Sequence, residues 1–302
     1  MSNKRLGVIG LGAVGGRLAR RLLVEFGALE VHDQSSTQCD ALVAAGARAS
    51  DSPRQMAQCC NTVLLSLPSP AAVESVMQGQ NGLLQGVHEK SIVLDTSTLD
   101  PATSRYWAER VSSSGGCYLD TPVTCAVTQG GGTAAVETGE LTVLVGGDEG
   151  AFARAHEVLD VIGRRIHYLG AAGAGSVMKL VSNHISGIQT LAIAEALSLA
   201  EVCGFDARRT LEVCADTVAN SYVMESIVAA RLDTMRDETH FAIELMRKDH
   251  RLAATLAAQH DVPLPMNQTA LELCDRMCAA GYAKRDNVSA FEYFREMTTH
   301  KP

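Results

Sequence analysis

The chain has 302 residues, of which 46% are hydrophobic, and its formal net charge is −8 at pH 7. It has no run of about five or six like charges, which argues against a nucleic-acid surface or a polybasic membrane-binding segment. No stretch approaches the roughly 18 apolar residues of a membrane-spanning helix, and glycines interrupt the apolar stretch after Arg5 too early for a signal peptide. We therefore expect a cytoplasmic protein whose partners are small molecules, with no nucleic-acid or membrane partner.

The nine cysteines are an odd number and show no spacing typical of a metal site. The adjacent pair Cys59 and Cys60 and the helically spaced pair Cys274 and Cys278 have no histidine or further cysteine at zinc-like intervals. We interpret the cysteines as reduced thiols of a cytosolic protein and predict no metal site.

In the first half of the chain, short apolar or β-branched runs alternate with segments in which apolar residues return every three or four positions. This alternation predicts strand-helix-strand units and a parallel sheet. Two helical segments have typical start signals, Ser52 before Pro53 and Asp100 before Pro101. The predicted strands are 6–9, 29–32, 63–67, 92–95, 118–120, 142–145 and 165–168, and the helices between them include 13–26, 53–60, 71–77 and 101–114.

After Gly170 the strand-like runs disappear, and residues 176–202 form one long apolar helical pattern that only Gly187 interrupts. Gly204 and residues 263–265 are predicted breaks between later helices. The later helices are predicted at 207–218, 222–230, 241–259 and 267–280.

The change in pattern predicts two domains, residues 1–168 and residues 169–302, which agrees with the length of the chain. The first should contain the parallel sheet and the second should be all helical. Because the long helix is apolar around nearly its whole circumference, other helices or another subunit must cover it. We therefore expect a homodimer or a homotetramer.

A glycine-rich hexapeptide, residues 10–15, directly follows the first predicted strand and opens the first predicted helix. In that context a G-x-G-x-x-G pattern predicts a dinucleotide site. Gly10 permits a tight turn, Gly12 lets the backbone approach a pyrophosphate, and Gly15 allows close packing of helix and strand. The start of the helix adds N–H groups and the positive end of its dipole. The predicted cofactor contacts in this turn are Gly10, Leu11, Gly12, Ala13, Val14 and Gly15.

Asp33 stands at the end of the second predicted strand, about 20 residues beyond the glycines, where a carboxylate accepts hydrogen bonds from ribose hydroxyls. The residues after it offer no Arg or Lys to neutralise a 2′-phosphate, so the sequence favours NAD over NADP. Leu67, Pro68 and Thr98 follow two later strands whose carboxyl ends should meet the same crevice, and we predict that they also contact the cofactor.

The segment from Gly170 to Asn183 resembles the catalytic segment of the β-hydroxyacid dehydrogenase family, which includes 3-hydroxyisobutyrate dehydrogenase, tartronate semialdehyde reductase and 6-phosphogluconate dehydrogenase-like proteins. The resemblance covers nearly the whole chain. It implies a Rossmann-type doubly wound parallel sheet followed by an all-α domain with one long connecting helix. Further matching motifs are residues 95–101, 120–123, 139–142, 146–147 and 248–249.

The resemblance identifies Lys179 as the catalytic residue. Oxidation of an alcohol requires a group that removes the hydroxyl proton while hydride leaves the same carbon, and lysine suits this role. We expect burial beside the oxidised nicotinamide to lower the pKa of Lys179 toward neutrality. Asn183, four residues later on the same helical face, is predicted to hold the substrate hydroxyl or carboxylate. By the same resemblance, Lys248 contacts the nicotinamide end of the cofactor.

The chain departs from the family pattern after Val123, where relatives have a Ser-Gly-Gly cradle for the substrate carboxylate. Two alignments fit: either Thr124, Cys125 and Ala126 replace the cradle, or residues 124–129 are inserted and residues 130–132 form it. The candidate substrate contacts are therefore Thr124, Gly131 and Gly132. A second departure is Ser182, where many relatives have the first of two asparagines. His184, which follows the retained Asn183, is either a titrating group near the substrate or a structural histidine.

The leading hypothesis is an NAD-dependent dehydrogenase of a small, 3-hydroxyisobutyrate-like β-hydroxy acid. The altered loop after Val123 motivates an alternative, reduction of an imine or of a sulfonated or other non-carboxylate aldehyde, although Lys179 counts against imine reduction. A third hypothesis is a catalytically inactive module that binds NAD(H) as a sensor or as a structural part. The presence of Lys179 and Asn183 argues against it.

Overall fold

The computed structural model describes residues 5–125 and 132–299, without the side chains of residues 132–134 and 299. The chain forms two compact units. The N-terminal unit contains residues 5–125 and 133–179, and the C-terminal unit contains residues 180–299. The division between the two units falls within one long helix, directly after Lys179.

The sheet of the N-terminal unit begins with six parallel strands in the order β3-β2-β1-β4-β5-β6. Beyond β6, β8 runs antiparallel to β6 and β7, and β9 pairs with β8 in parallel. The predicted parallel sheet is confirmed, but the antiparallel pairings and the strands β3 and β7 were not predicted. The strands are β1 (Leu6–Ile9), β2 (Glu30–His32), β3 (Arg48–Ala49), β4 (Thr62–Leu65), β5 (Ile92–Asp95), β6 (Cys117–Asp120), β7 (Val123–Cys125), β8 (Leu141–Gly147) and β9 (Arg165–Tyr168).

Helices connect these strands, and their starts follow local capping chemistry. Ser52 accepts the N–H of Gln55 and Asp100 accepts the N–H of Thr103, so both predicted start signals are confirmed. The helices are α1 (Gly15–Phe26), α2 (Ser36–Ala44), α3 (Pro53–Cys59), α4 (Pro70–Gln78), α5 (Pro101–Ser113), α6 (Gly132–Thr138) and α7 (Glu149–Ile162), with a 3-10 turn at Leu83–Gln85.

Both faces of the sheet are covered. In β5, Ile92 and Leu94 pack into one apolar cluster with residues of α1 and α7, whereas Val93 packs into a second cluster with Met56 and Trp107. Alternate residues of a strand point to opposite faces, so these clusters are the two layers of a doubly wound fold.

The C-terminal unit is helical, as predicted, apart from one isolated bridge between Ala242 and Asp286 among its described residues. Gly187 lies within a continuous helix, and Pro265 begins a helix instead of separating two. The elements are α8 (Ala174–Val202), α9 (Ala207–Ala215), a π-helical turn Val223–Val228 that leads into α10 (Ala229–Arg231), α11 (Ile243–Gln259), α12 (Pro265–Met277), a second π-helical turn Cys278–Tyr282, a 3-10 turn Asn287–Ser289 and α13 (Ala290–Thr299).

The expectation that no segment is apolar enough to span a membrane is wrong for α8. By length and composition, α8 meets the requirement for a membrane span. This is weak evidence for a membrane, because the core helices of soluble proteins meet the same requirement. The helix also carries the polar residues Lys179, Asn183 and His184.

Candidate active site

Gly10 and Gly15 form a turn in which side chains do not fit. Gly10 has a φ of +89°, and a Cβ atom there would overlap the carbonyl oxygen of Ser66 and lie 2.9 Å from Leu67 Cδ2. A Cβ at Gly15 would overlap the carbonyl oxygen of Gly10. The glycine motif therefore closes tightly onto the loop after β4, which brings Leu67 to Gly10.

Gly12 differs from these two glycines, because a Cβ atom there would meet nothing within 4 Å. Leu11 is buried, Ala13 is exposed, and Val14 provides no side-chain cap for α1. The turn thus presents open backbone at the start of a helix, where N–H groups and the helix dipole favour an anion.

The Asp33 carboxylate is tied to the same turn. Its Oδ2 accepts the N–H of Leu11 at 2.7 Å, and its Oδ1 accepts the N–H of Ser35 at 2.8 Å. Asp33 is half-buried. The carboxylate therefore orders the glycine turn in addition to its predicted role at the ribose.

The loops after β4 and β5 lie at the carboxyl ends of adjacent parallel strands. The N–H of Leu67 donates to Ser97 Oγ at 3.0 Å, which joins the two loops. Pro68 is exposed and Thr98 is half-buried. The predicted cofactor residues of these loops thus share the edge of the sheet that carries the glycine turn.

Asp95 and Tyr118 are buried next to that edge. Tyr118 Oη donates to Asp95 Oδ2 at 2.8 Å, and the N–H of Ser97 donates to Asp95 Oδ1 at 2.8 Å. Burial raises the pKa of Asp95 to about 6, although these hydrogen bonds act in the opposite direction. Burial also raises the pKa of Tyr118 well above its ordinary value.

Asp120, at the end of β6, holds the start of α8. Its Oδ1 accepts the N–H of Gly173 and its Oδ2 accepts the N–H of Ser176, each at 2.8 Å. The Oγ atoms of Ser176 and Ser104 are 2.8 Å apart, which adds a contact to α5. Burial raises the pKa of Asp120, and the two backbone donors oppose that change. Asp120 lies in a motif that matches the family, but a single sequence does not show that it binds the start of α8.

Glycines allow α8 to approach the sheet this closely. A Cβ at Gly175 would overlap the carbonyl oxygen of Leu144 and lie 2.9 Å from Asp120 Oδ2. A Cβ at Gly146 would lie 2.6 Å from Asp120 Oδ1. The glycines of the catalytic segment and of β8 therefore make room for the Asp120 carboxylate.

Lys179 lies one helical turn after this start of α8 and is only 9% exposed. A lysine is seldom buried to this extent, because removal of an ammonium group from water costs free energy. Its position in the N-terminal unit is set by the hydrogen bonds between Asp120 and the first turn of α8.

Asn183 and Lys248 are joined through Asp249 in the C-terminal unit. Asn183 Nδ2 donates to Asp249 Oδ2 at 2.6 Å, and Lys248 Nζ lies 2.9 Å from Asp249 Oδ1. The Asp249 side chain is buried, whereas Lys248 is partly exposed. The Lys-Asp pair is visible in the sequence, but its link to Asn183 is not, because Asp249 and Asn183 are 66 residues apart.

The predicted carboxylate contacts that the structure describes lie in two different elements. Thr124 and Cys125 lie in β7, where they pair with Thr142 and Leu141 of β8. Gly132 is the first residue of α6, and Gly131 lies outside the described residues. Extended strand backbone is unlike the glycine turn of the family cradle.

Comparisons with known proteins agree with this architecture. Residues 5–170 match the family model described as the NAD binding domain of 6-phosphogluconate dehydrogenase, and residues 173–294 match the one described as NAD-binding of NADP-dependent 3-hydroxyisobutyrate dehydrogenase. The chain is 32% identical over 97% of its length to 2-(hydroxymethyl)glutarate dehydrogenase of Eubacterium barkeri, covering 96% of that protein. The chain belongs to the β-hydroxyacid dehydrogenase family.

Two further relatives are named as 3-hydroxyisobutyrate dehydrogenases. The mitochondrial protein of Rattus norvegicus is 31% identical over 99% of the chain and 89% of its own length. The crystal structure of the Salmonella typhimurium protein has a TM-score of 0.85 at 27% identity, covering 96% of the chain and 100% of that structure. The predicted fold, the enzyme class and the dinucleotide cofactor are thereby confirmed.

The residues of the glycine turn fit NAD. Open space at Gly12 admits a pyrophosphate next to the backbone, and the Asp33 carboxylate lies beside Leu11 of the same turn. A carboxylate at this position can accept ribose hydroxyls and disfavours a 2′-phosphate, so these residues fit NAD.

Proposed function

We propose that this β-hydroxyacid dehydrogenase oxidises a small, 3-hydroxyisobutyrate-like hydroxy acid with NAD, and that Lys179 is the general acid and base. The observation that carries the proposal is the burial of Lys179 on a helix whose first turn is held by Asp120 at the end of β6. The helical turn that carries Lys179 therefore follows directly on residues bound to the carboxyl end of β6.

Lys179 moves the proton of the reaction. In the oxidation, the neutral Nζ takes the hydroxyl proton of the substrate, while the C–O bond becomes a double bond and the hydride leaves the same carbon. NAD, when bound, supplies the hydride acceptor. In the reverse direction, the ammonium group of Lys179 donates its proton to the carbonyl oxygen.

Asn183 binds the substrate oxygen in this proposal. One N–H of its amide is occupied by Asp249, which leaves the second N–H and Oδ1 for the ligand. Asp249 thereby fixes the orientation of the amide. Lys248, on the other oxygen of Asp249, contacts the nicotinamide end of the cofactor.

The substrate class follows from the named relatives. The substrates 2-(hydroxymethyl)glutarate and 3-hydroxyisobutyrate share a hydroxymethyl group on the carbon next to a carboxylate. We propose the same unit for the substrate of this chain. Thr124, or the glycines Gly131 and Gly132, would bind its carboxylate, in accord with the two alignments of this loop.

Lys179→Ala tests the assignment. Loss of general acid-base catalysis should lower kcat for 3-hydroxyisobutyrate by about 10³-fold, while the Kd for NADH, measured by fluorescence titration, stays within about twofold. Lys90→Ala, which removes an exposed lysine, is the matched control and should retain full activity. Ordinary turnover by Lys179→Ala would refute the role of this lysine.

We also propose that the protein is a cytoplasmic homo-oligomer assembled through α8. Within the C-terminal unit, α8 exposes the apolar side chains of Ile185, Leu199 and Val202. A second subunit would remove these side chains from water. Sedimentation velocity should show a dimer or tetramer that Leu199→Glu weakens, and a monomeric parent protein would contradict the proposal.

A further inference from the structure

Three polar side chains, His184, His250 and Asn267, form a cluster in the C-terminal unit next to the pair Asn183 and Asp249. His184 follows Asn183 on α8, His250 follows Asp249 on α11, and Asn267 lies on α12. His250 and Asn267 are each 1% exposed. None of the three takes part in the chemistry described above. Buried polar side chains lower stability unless they are paired, so the hydrogen bonds within this cluster need an explanation.

Asn267 binds both histidines through one oxygen atom. Its Oδ1 lies 2.7 Å from His250 Nδ1 and 3.1 Å from His184 Nδ1, while its Nδ2 donates to the carbonyl oxygen of His250 at 3.0 Å. Because the amide nitrogen is the donor to that carbonyl, Oδ1 is the acceptor, and both rings must donate from Nδ1. Asn267 therefore fixes the tautomer and orientation of both rings.

His250 separates α8 from α11. Its Nε2 is buried and has no hydrogen-bond partner in the described part of the chain. A Cβ atom at Gly187 would lie 2.5 Å from that nitrogen, so the ring occupies the space of a side chain on α8. Burial lowers the pKa of His250, which favours the neutral ring. Of the titratable groups nearby, His184 acts in the same direction and Asp249 in the opposite one.

We infer that His250 and Asn267 are positioning residues for Asn183. The ring of His250 sets the separation of α8 and α11, and Asn267 holds the ring in place. This separation determines how Asp249 meets the Asn183 amide, whose Nδ2 lies 2.6 Å from Asp249 Oδ2. The inference rests on the proposed function, in which the remaining hydrogen-bonding groups of Asn183 bind the substrate.

Asn267→Leu tests the shared acceptor, because leucine has a similar volume and cannot accept a hydrogen bond. The KM for 3-hydroxyisobutyrate should rise by about tenfold, while the Kd for NADH stays within about twofold. Gln268→Leu, at the neighbouring exposed position of α12, is the matched control and should leave KM unchanged. An unchanged KM in folded Asn267→Leu would overturn the inference.

Two substitutions of His250 separate the hydrogen bond from simple packing. In His250→Asn the amide nitrogen stands close to the place of Nδ1 and keeps the donor, whereas His250→Leu removes it. Because neither side chain fills the space of the ring beside Gly187, we expect both substitutions to raise the KM for 3-hydroxyisobutyrate, and His250→Asn to raise it less because it keeps the hydrogen bond to Asn267. An unchanged KM in both variants would overturn the inference, and this comparison decides the matter if Asn267→Leu fails to fold.

A double-mutant cycle with Asn183→Ala shows whether Asn267 acts through Asn183. If it does, Asn267→Leu should change KM by less than about twofold in the Asn183→Ala background. If Asn267→Leu instead raises KM by the same factor in the Asn183→Ala background as in the parent protein, the inference is overturned. If Asn183→Ala alone leaves KM unchanged, Asn183 does not bind the substrate and that part of the proposed function fails. The cycle therefore distinguishes failure of the proposed function from failure of the inference.

Discussion

The Asp120 carboxylate accepts the backbone N–H of Ser176 at 2.8 Å, three residues before Lys179. Its other oxygen accepts the N–H of Gly173 at the same distance. Because Asp120 ends β6, these bonds tie the first turn of α8 to the sheet. The carboxylate thus acts as a remote helix cap whose loss should disturb Lys179.

Asp120→Asn should therefore destabilise the protein and slow turnover. The amide offers one acceptor atom where the carboxylate offers two, so one buried N–H loses its partner at a cost of about 1–3 kcal/mol. We expect a fall of this size in the free energy of unfolding, measured with urea, and a decrease in kcat of about tenfold or more.

Asp148→Asn is the control for this substitution. Asp148 also caps a helix, since it accepts the N–H of Ala151 at 2.7 Å, but it is exposed. Asn and Asp cap exposed helices almost equally well, so stability and turnover should stay close to those of the parent. Equal effects of the Asp120 and Asp148 substitutions would show that the buried cap has no special role.

Gly175→Ala should also destabilise the protein, against the usual helix preference for alanine. Alanine gains about 1 kcal/mol over glycine in a helix. Here the added methyl group would overlap the carbonyl oxygen of Leu144, which is a backbone atom of β8 and cannot move away by changing a side-chain rotamer. Overpacking of this kind costs about 1–3 kcal/mol, so we expect a net loss in thermal unfolding experiments.

Gly12→Ala provides the contrast, because its methyl group would meet nothing within 4 Å in the protein. Its stability should match that of the parent, while the Kd for NADH should rise by about tenfold because the methyl group occupies the space of the pyrophosphate. If Gly12→Ala destabilises the protein and Gly175→Ala does not, our interpretation of both glycines is wrong.

The sequence predicted the parts of the molecule that depend on local patterns. The glycine turn, the capped starts at Ser52 and Asp100, and the buried strands are all encoded by neighbouring residues. The helix α2 (Ser36–Ala44) and the strand β7 (Val123–Cys125) were missed, because their polar and small residues give no clear periodicity.

The contacts that organise the site could not be predicted, because they join distant residues. The bonds from Asp120 to Gly173 and Ser176 span 53 and 56 residues. The bond from His184 to Asn267 spans 83 residues. One sequence without tertiary information shows which residues can form such bonds but not which partners they choose.

Asp95 should make stability depend on pH. Its pKa of about 6 in the folded protein exceeds the ordinary value of 3.8 because of burial, so the protonated form is favoured by folding. The resulting stability is fully present below about pH 4 and is lost as the pH rises through 6, by about 3 kcal/mol.

Asp95→Asn cannot ionise, so its free energy of unfolding relative to the parent should rise by about 3 kcal/mol between pH 3 and pH 8. The amide keeps an acceptor for only one of the two donors, Tyr118 or Ser97, and the bond that is lost adds an offset that does not vary over this range. Urea unfolding at several pH values measures the difference. A difference that stays constant with pH would mean that Asp95 does not titrate in this way.

Asp33→Asn should change the choice between the two cofactors. The carboxylate accepts the N–H groups of Leu11 and Ser35, and its charge repels a 2′-phosphate. The amide keeps one of these acceptors and removes the charge, so kcat/KM should fall by about tenfold with NAD and much less with NADP. Asp40→Asn, an exposed carboxylate on α2, is the matched control and should leave the ratio of the two kcat/KM values unchanged. If Asp33→Asn also leaves this ratio unchanged, the charge at position 33 does not select the cofactor.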